Sequence, residues 1–121
     1  MHAPTPLYLL SLLPFAHAAE TTLGAFVFHR HGDRTTKAWP PTHLTDLGYS
    51  EVYSAGSYFR SKYITNETTA IPGIAENFVN LAQLSVEAPV DTVLQNSAQG
   101  FTQALYPPVG SQLNTQTLAN G

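Results

Sequence analysis

Residues 23–29 (LGAFVFH) constrain this chain more than any other stretch. The run is apolar and aromatic with a β-branched centre, and it stops abruptly at Arg30-His31-Gly32-Asp33-Arg34. Such a run reads as a buried strand, and Gly32 breaks it. A loop with Trp39, Pro40 and Pro41 follows. Thr45 is placed to cap a helix over residues 46–63, with Tyr49, Val52, Tyr53, Gly56, Phe59 and Tyr63 on one apolar face. Residues 65–73 read as a polar turn region and 77–81 as a helical turn. Residues 84–88 (LSVEA) alternate and read as a second strand, ended by Pro89. Asp91 caps a second helix carrying Leu94, Ala98, Phe101 and Leu105, and Pro107-Pro108 stop it. The tail from 109 to 121 is polar and has no period.

Strand, loop, helix, strand, helix is the β-α-β-α order of an α/β sheet. Ligands of such sheets bind at the carboxyl ends of the strands, which is where the loop 30–34 falls. Two short strands bury too little apolar surface to stand alone. The expectation is therefore the front part of a larger fold.

Composition narrows the function. The chain is 43% hydrophobic with a net charge of −3, too apolar for a disordered chain and too acidic to bind nucleic acid by charge. Four of the five Lys and Arg residues lie between Arg30 and Arg60, so cationic charge is concentrated near the loop. With no cysteine, disulfides and thiolate metal sites are excluded. At the N-terminus, residues 7–18 (LYLLSLLPFAHA) form an apolar core ending in Ala16-His17-Ala18. The run is too short to span a bilayer and reads as a secretory signal peptide over 1–18, cleaved so that the mature chain starts near Ala19. The sequon Asn66-Glu67-Thr68 is a candidate N-glycosylation site in a surface loop. The expectation is a secreted glycoprotein, extracellular or in a cell wall, with no membrane association after signal cleavage.

The loop suits phosphate chemistry. Two guanidiniums, Arg30 and Arg34, can each give paired hydrogen bonds to a phosphoryl group. A neutral imidazole at His31 can attack phosphorus and split one difficult step into two. Gly32 lets the backbone turn tightly and approach an anion.

Arg-His-Gly-x-Arg after an apolar run resembles the signature of the histidine phosphatase superfamily, in its acid phosphatase and phytase branch. Residues 43–63 (HLTDLGYSEVYSAGSYFRSKY) look like that branch's first helix, with its Leu-Thr-x-x-Gly start and Arg-x-x-Tyr end. Residues 97–108 (SAQGFTQALYPP) look like its Ser-Ala, aromatic and Leu-Tyr-Pro-Pro series. The three matches fall in the family's order, span roughly residues 23–110, and look most like secreted fungal members. The resemblance implies a phosphoglycerate mutase-like three-layer α/β sandwich, of which residues 19–121 are the N-terminal part, truncated. It implies hydrolysis of a small-molecule phosphomonoester through a phosphohistidine on His31. Arg30 and Arg34 would bind the transferred phosphate, and no metal or other cofactor is expected.

The chain departs from the family in three places. Thr36 stands where a proline is usual. Val93 stands where the family supplies a third phosphate-binding arginine. No histidine follows His43, so the family's distant His-Asp or His-Ala-Glu general acid is unmatched. The alternative is accordingly a non-catalytic phosphate-binding or interaction relative, or a truncated fragment.

Blander roles compete elsewhere. His29 and His31 are two apart on a strand and make half of a metal site, but packing or hydrogen bonding beside the loop accounts better for His29. Tyr49, Tyr53, Tyr58 and Tyr63 suggest a stacking platform for bases, yet their helical spacing fits packing. Trp39 either lines a substrate mouth or anchors its loop. Asp91 reads as a cap rather than an acid.

Overall fold

The computed structural model describes residues 20–110. The expected signal peptide over 1–18 and the segment 111–121 lie outside the described residues. Two helices form the frame: α1, Asp46–Tyr63, and α2, Thr92–Leu105.

Both helices begin and end for local chemical reasons. Thr45 is the N-cap of α1, and its Oγ1 accepts the Gly48 amide at 3.0 Å. Asp46 in the first turn and Arg60 and Lys62 in the last complement the helix dipole. Asp91 caps α2 by accepting the amides of Val93 at 2.9 Å and Leu94 at 3.3 Å. Pro107 and Pro108 follow Tyr106 at its end, where a proline ring and the missing N–H forbid another turn. Arg60 then crosses to the C-terminus of α2, where its Nη1 donates to the Leu105 carbonyl at 2.9 Å and to the Glu76 carbonyl at 3.0 Å.

The helices meet along small residues. Gly48, Val52 and Gly56 are the buried positions of α1, and Val93, Ser97, Gly100, Ala104 and Leu105 those of α2. Where Gly56 passes the Phe101 carbonyl there is no room for a side chain, and a Cβ on Gly100 would sit 3.0 Å from Val52 Cγ2. Val52 is wholly buried in this seam, worth about 1.5–3 kcal/mol by transfer. Phe59 extends the packing, its ring 5.8 Å from that of Phe101 and 5.9 Å from that of Tyr63.

The buried face of α2 therefore runs one residue ahead of the expected series Leu94, Ala98, Phe101 and Leu105. Of these only Leu105 is buried, and the others are half-buried. Close helix contact selects the smallest side chains, and glycine and serine do not register in an apolar pattern. For the same reason Tyr49 and Tyr53 flank the α1 seam rather than fill it. Their stacked rings lie 6.0 Å apart, and the Tyr49 hydroxyl donates to Gln103 of α2.

The described residues do not form the expected β-α-β-α sandwich. Among the described residues there are two helices and no strand, only an isolated antiparallel bridge between Arg34 and Leu44. The run 23–29 has no ladder partner and lies open to solvent, with Phe26 94% and Phe28 91% exposed. Residues 84–88 are likewise unpaired. An alternating or apolar pattern states how side chains distribute once a neighbouring strand is present; it does not supply the neighbour. The two candidate strands do not pair with each other, so neither becomes one. The helical turn expected over 77–81 is also displaced. The turn lies at Asn80, whose carbonyl accepts the amides of Gln83 and Leu84 at 2.8 and 3.2 Å.

Candidate functional site

The loop 30–34 is held between the N-terminal half of α1 and the start of α2. Backbone bonds close its exit: Thr35 N–H donates to the His43 carbonyl at 2.9 Å, and Thr45 N–H to the Asp33 carbonyl at 3.0 Å. Gly32 is buried, and its backbone lies directly on that of Gly48, where a Cβ on either glycine would overlap the other chain segment. This close approach is the reason for glycine at both positions.

Three side chains complete the clamp. Ser97 of α2 is 5% exposed; its Oγ accepts the Gly32 amide at 3.2 Å and donates to the Val93 carbonyl at 2.7 Å. Glu51 of α1 accepts the Asp33 amide on Oε2 at 2.9 Å. Thr45 Oγ1 donates to Asp33 Oδ2 at 2.8 Å.

This bonding decides how an anion can be held. The amides of Gly32 and Asp33 both point at protein acceptors, so they are not free to form a backbone nest of the kind that cradles phosphate. An anion in this loop would have to be held by side chains. Arg30, His31 and Arg34 line an open cleft together with Asp33, Thr36, Lys37 and Glu51. Arg34 Nη1 donates to the Thr35 carbonyl at 3.0 Å, which fixes the guanidinium and leaves its other N–H groups available. The three candidate site residues Arg30, His31 and Arg34 are thus brought to one cleft.

The His31 ring is oriented by its own neighbour. Its Nδ1 lies 2.7 Å from the Gly32 carbonyl oxygen. A carbonyl only accepts, so Nδ1 carries the proton and Nε2 keeps its lone pair in the neutral ring. His29 has a different setting. Its ring packs 5.4 Å from that of Phe101, and its Nδ1 donates to the Arg30 carbonyl. No group of three His, Cys, Asp or Glu suited to a metal ion occurs among the described residues. Asp91 is spent as the α2 cap, and Val93 is buried in the helix seam. Asn66 is exposed in a turn after α1, its Oδ1 accepting from the amides of Thr68 and Thr69 and from the Thr68 hydroxyl.

Glu51 was not among the candidates drawn from the sequence. A signal existed: it lies three residues past Gly48, hence on the face of α1 that meets the loop. Ser97 entered only as part of the Ser-Ala resemblance, and the burial that gives it a role was not legible.

Comparison with protein-family models, with curated proteins and with solved structures returned no match. Among the described residues no helix is long and apolar enough to cross a membrane.

Proposed function

We propose that this chain is an acid phosphatase-like hydrolase of small phosphomonoesters, with His31 as nucleophile and Arg30 and Arg34 as phosphate ligands. The observation that carries the reading is the His31 Nδ1–Gly32 carbonyl bond at 2.7 Å, which in the neutral ring directs the Nε2 lone pair into a cleft lined by two guanidiniums. In the first step the Nε2 lone pair forms the N–P bond while the P–O bond to the alcohol breaks, its electron pair going to the leaving oxygen. Water then adds to phosphorus as the N–P bond breaks; one of its protons stays on the inorganic phosphate, the other passes through solvent to the departed alkoxide, and the imidazole returns neutral. The arginines neutralise the phosphoryl oxygens in both steps. The resemblance of residues 43–63 and 97–108 to the histidine acid phosphatases supports the same chemistry. Residues 1–18 and the exposed sequon at Asn66 support a secreted, glycosylated chain.

The test uses p-nitrophenyl phosphate, whose leaving group departs as a phenolate and needs no general acid. His31→Ala is expected to abolish both turnover and the alkali-stable covalent phosphate label. A label retained in that variant sinks the assignment.

A second reading, a phosphate-binding relative without turnover, draws on buried Val93, which leaves the family's third cationic contact unfilled. It predicts phosphate binding that survives His31→Gln and no hydrolysis by the wild-type chain.

A further inference from the structure

We propose that Glu51 is a positioning residue for His31, acting through the one peptide group that joins Gly32 to Asp33. That group is bonded at both ends. Its carbonyl accepts the His31 Nδ1 proton at 2.7 Å, and its N–H donates to Glu51 Oε2 at 2.9 Å. The unit is planar, so fixing the direction of the N–H fixes the direction of the carbonyl on its far side. A carboxylate on the N–H also polarises the amide and makes the carbonyl a stronger acceptor, as in other hydrogen-bond chains. Glu51 therefore holds the proton on Nδ1 from one helix away, without touching the ring. Aspartate or glutamate behind a histidine commonly does this by direct contact; here a backbone amide stands between them.

The carboxylate of Asp33 does not fill this role. Its Oδ2 accepts the Thr45 hydroxyl at 2.8 Å, which turns it toward the α1 cap. Ser97 does not either, because it bonds the Gly32 N–H, which belongs to the preceding peptide group. Only Glu51 bonds the group whose carbonyl meets the imidazole.

The kinetic consequence rests on the reading of His31 as nucleophile; the tautomeric consequence does not. The experiment is nitrogen-15 NMR of the full chain labelled in histidine, with the His31 signals assigned by their loss in His31→Gln. In the wild type the neutral ring is expected to be mainly the Nδ1–H tautomer. Glu51→Ala removes the acceptor and should shift the ratio toward Nε2–H. Glu51→Gln keeps an acceptor oxygen without the charge and should fall between the two. Should the alanine variant fail to fold, the isosteric glutamine variant decides alone. Hydrolysis of p-nitrophenyl phosphate is the second readout: kcat should fall roughly tenfold in Glu51→Ala, as where a residue behind a histidine is lost, while KM does not rise. Partial recovery is expected in Glu51→Gln. A tautomer ratio unchanged in the folded variants overturns the proposal. A shifted ratio in a chain with no phosphatase activity upholds the role of Glu51 and overturns the functional reading instead.

Discussion

The Ser97 hydroxyl and the Gly32 amide, 65 residues apart in the chain, are joined by a 3.2 Å hydrogen bond, and it is the one side-chain bond from α2 to the candidate phosphate loop. Ser97 has no other neighbour to satisfy except the Val93 carbonyl one helical turn earlier. Ser97→Ala leaves the Gly32 N–H buried without a partner, which costs roughly 1–3 kcal/mol. Urea unfolding should show a lower midpoint at an unchanged slope. A changed slope would mean instead that the loop had detached before global unfolding.

The contact of Gly32 with Gly48 leaves no room for a methyl group. Either glycine changed to alanine should destabilise the chain by about 1–3 kcal/mol or more, since backbone rather than a movable side chain lies in the way. Gly24→Ala is the control, because open space surrounds that position. Thermal unfolding of the three variants should separate Gly24→Ala from the other two.

In the helix seam two glycines pull in different directions. Alanine in a helix interior gains up to about 1 kcal/mol over glycine in propensity. At Gly100 the new methyl meets side-chain carbons of Tyr49 and Val52 at 3.0 Å, which can yield slightly, so gain and strain offset and Tm should barely change. At Gly56 it meets the Phe101 carbonyl, which cannot yield, so Gly56→Ala should lower Tm clearly. A Gly56→Ala variant as stable as the wild type would show that the helices are not in van der Waals contact there.

Tyr106 couples the stability of the fold to alkaline pH. Burial pushes its phenol above the ordinary value of 10.0, against the opposing pull of the nearby Arg60 charge, and the hydroxyl donates to the Ala75 carbonyl at 2.9 Å. The folded state thus holds this proton more tightly than the unfolded state. Its contribution is complete below the unfolded value and is lost as pH rises through the folded one. Stability measured from pH 8 to 11 should fall in the wild type, and Tyr106→Phe should flatten that fall. An identical slope in the variant would exclude Tyr106 as its source.

The helices were legible because their ends are written in single residues. Thr45 and Asp91 cap the helices they were expected to cap, and α1 runs over the expected residues. That Arg30, His31 and Arg34 share one cleft was legible because they lie close enough in sequence to share one loop. What failed was everything that depends on a partner elsewhere. The run 23–29 has the composition of a strand, but pairing is a relation between two segments, and its partner is not encoded within it. The α2 face was misplaced by one residue because helices in close contact bury glycine and serine, which carry no hydropathic signal. Glu51 was overlooked because its role lies in an amide it bonds, and exposed glutamates on helices are ordinary.

Residues 23–28 (LGAFVF) have a consequence for the molecule in bulk. Six uncharged residues without proline, ending in the β-favouring Phe26-Val27-Phe28 with both phenylalanines bare, approach the composition that stacks into dry, interdigitated sheets between copies. Colloidal behaviour and chemistry are therefore adjacent in this chain. Arg30, one of the charges expected to hold phosphate, is also the charge nearest the sticky segment in the chain. An anion that neutralises Arg30 removes the like-charge repulsion beside that segment in stacked copies, although the chain as a whole keeps its net negative charge.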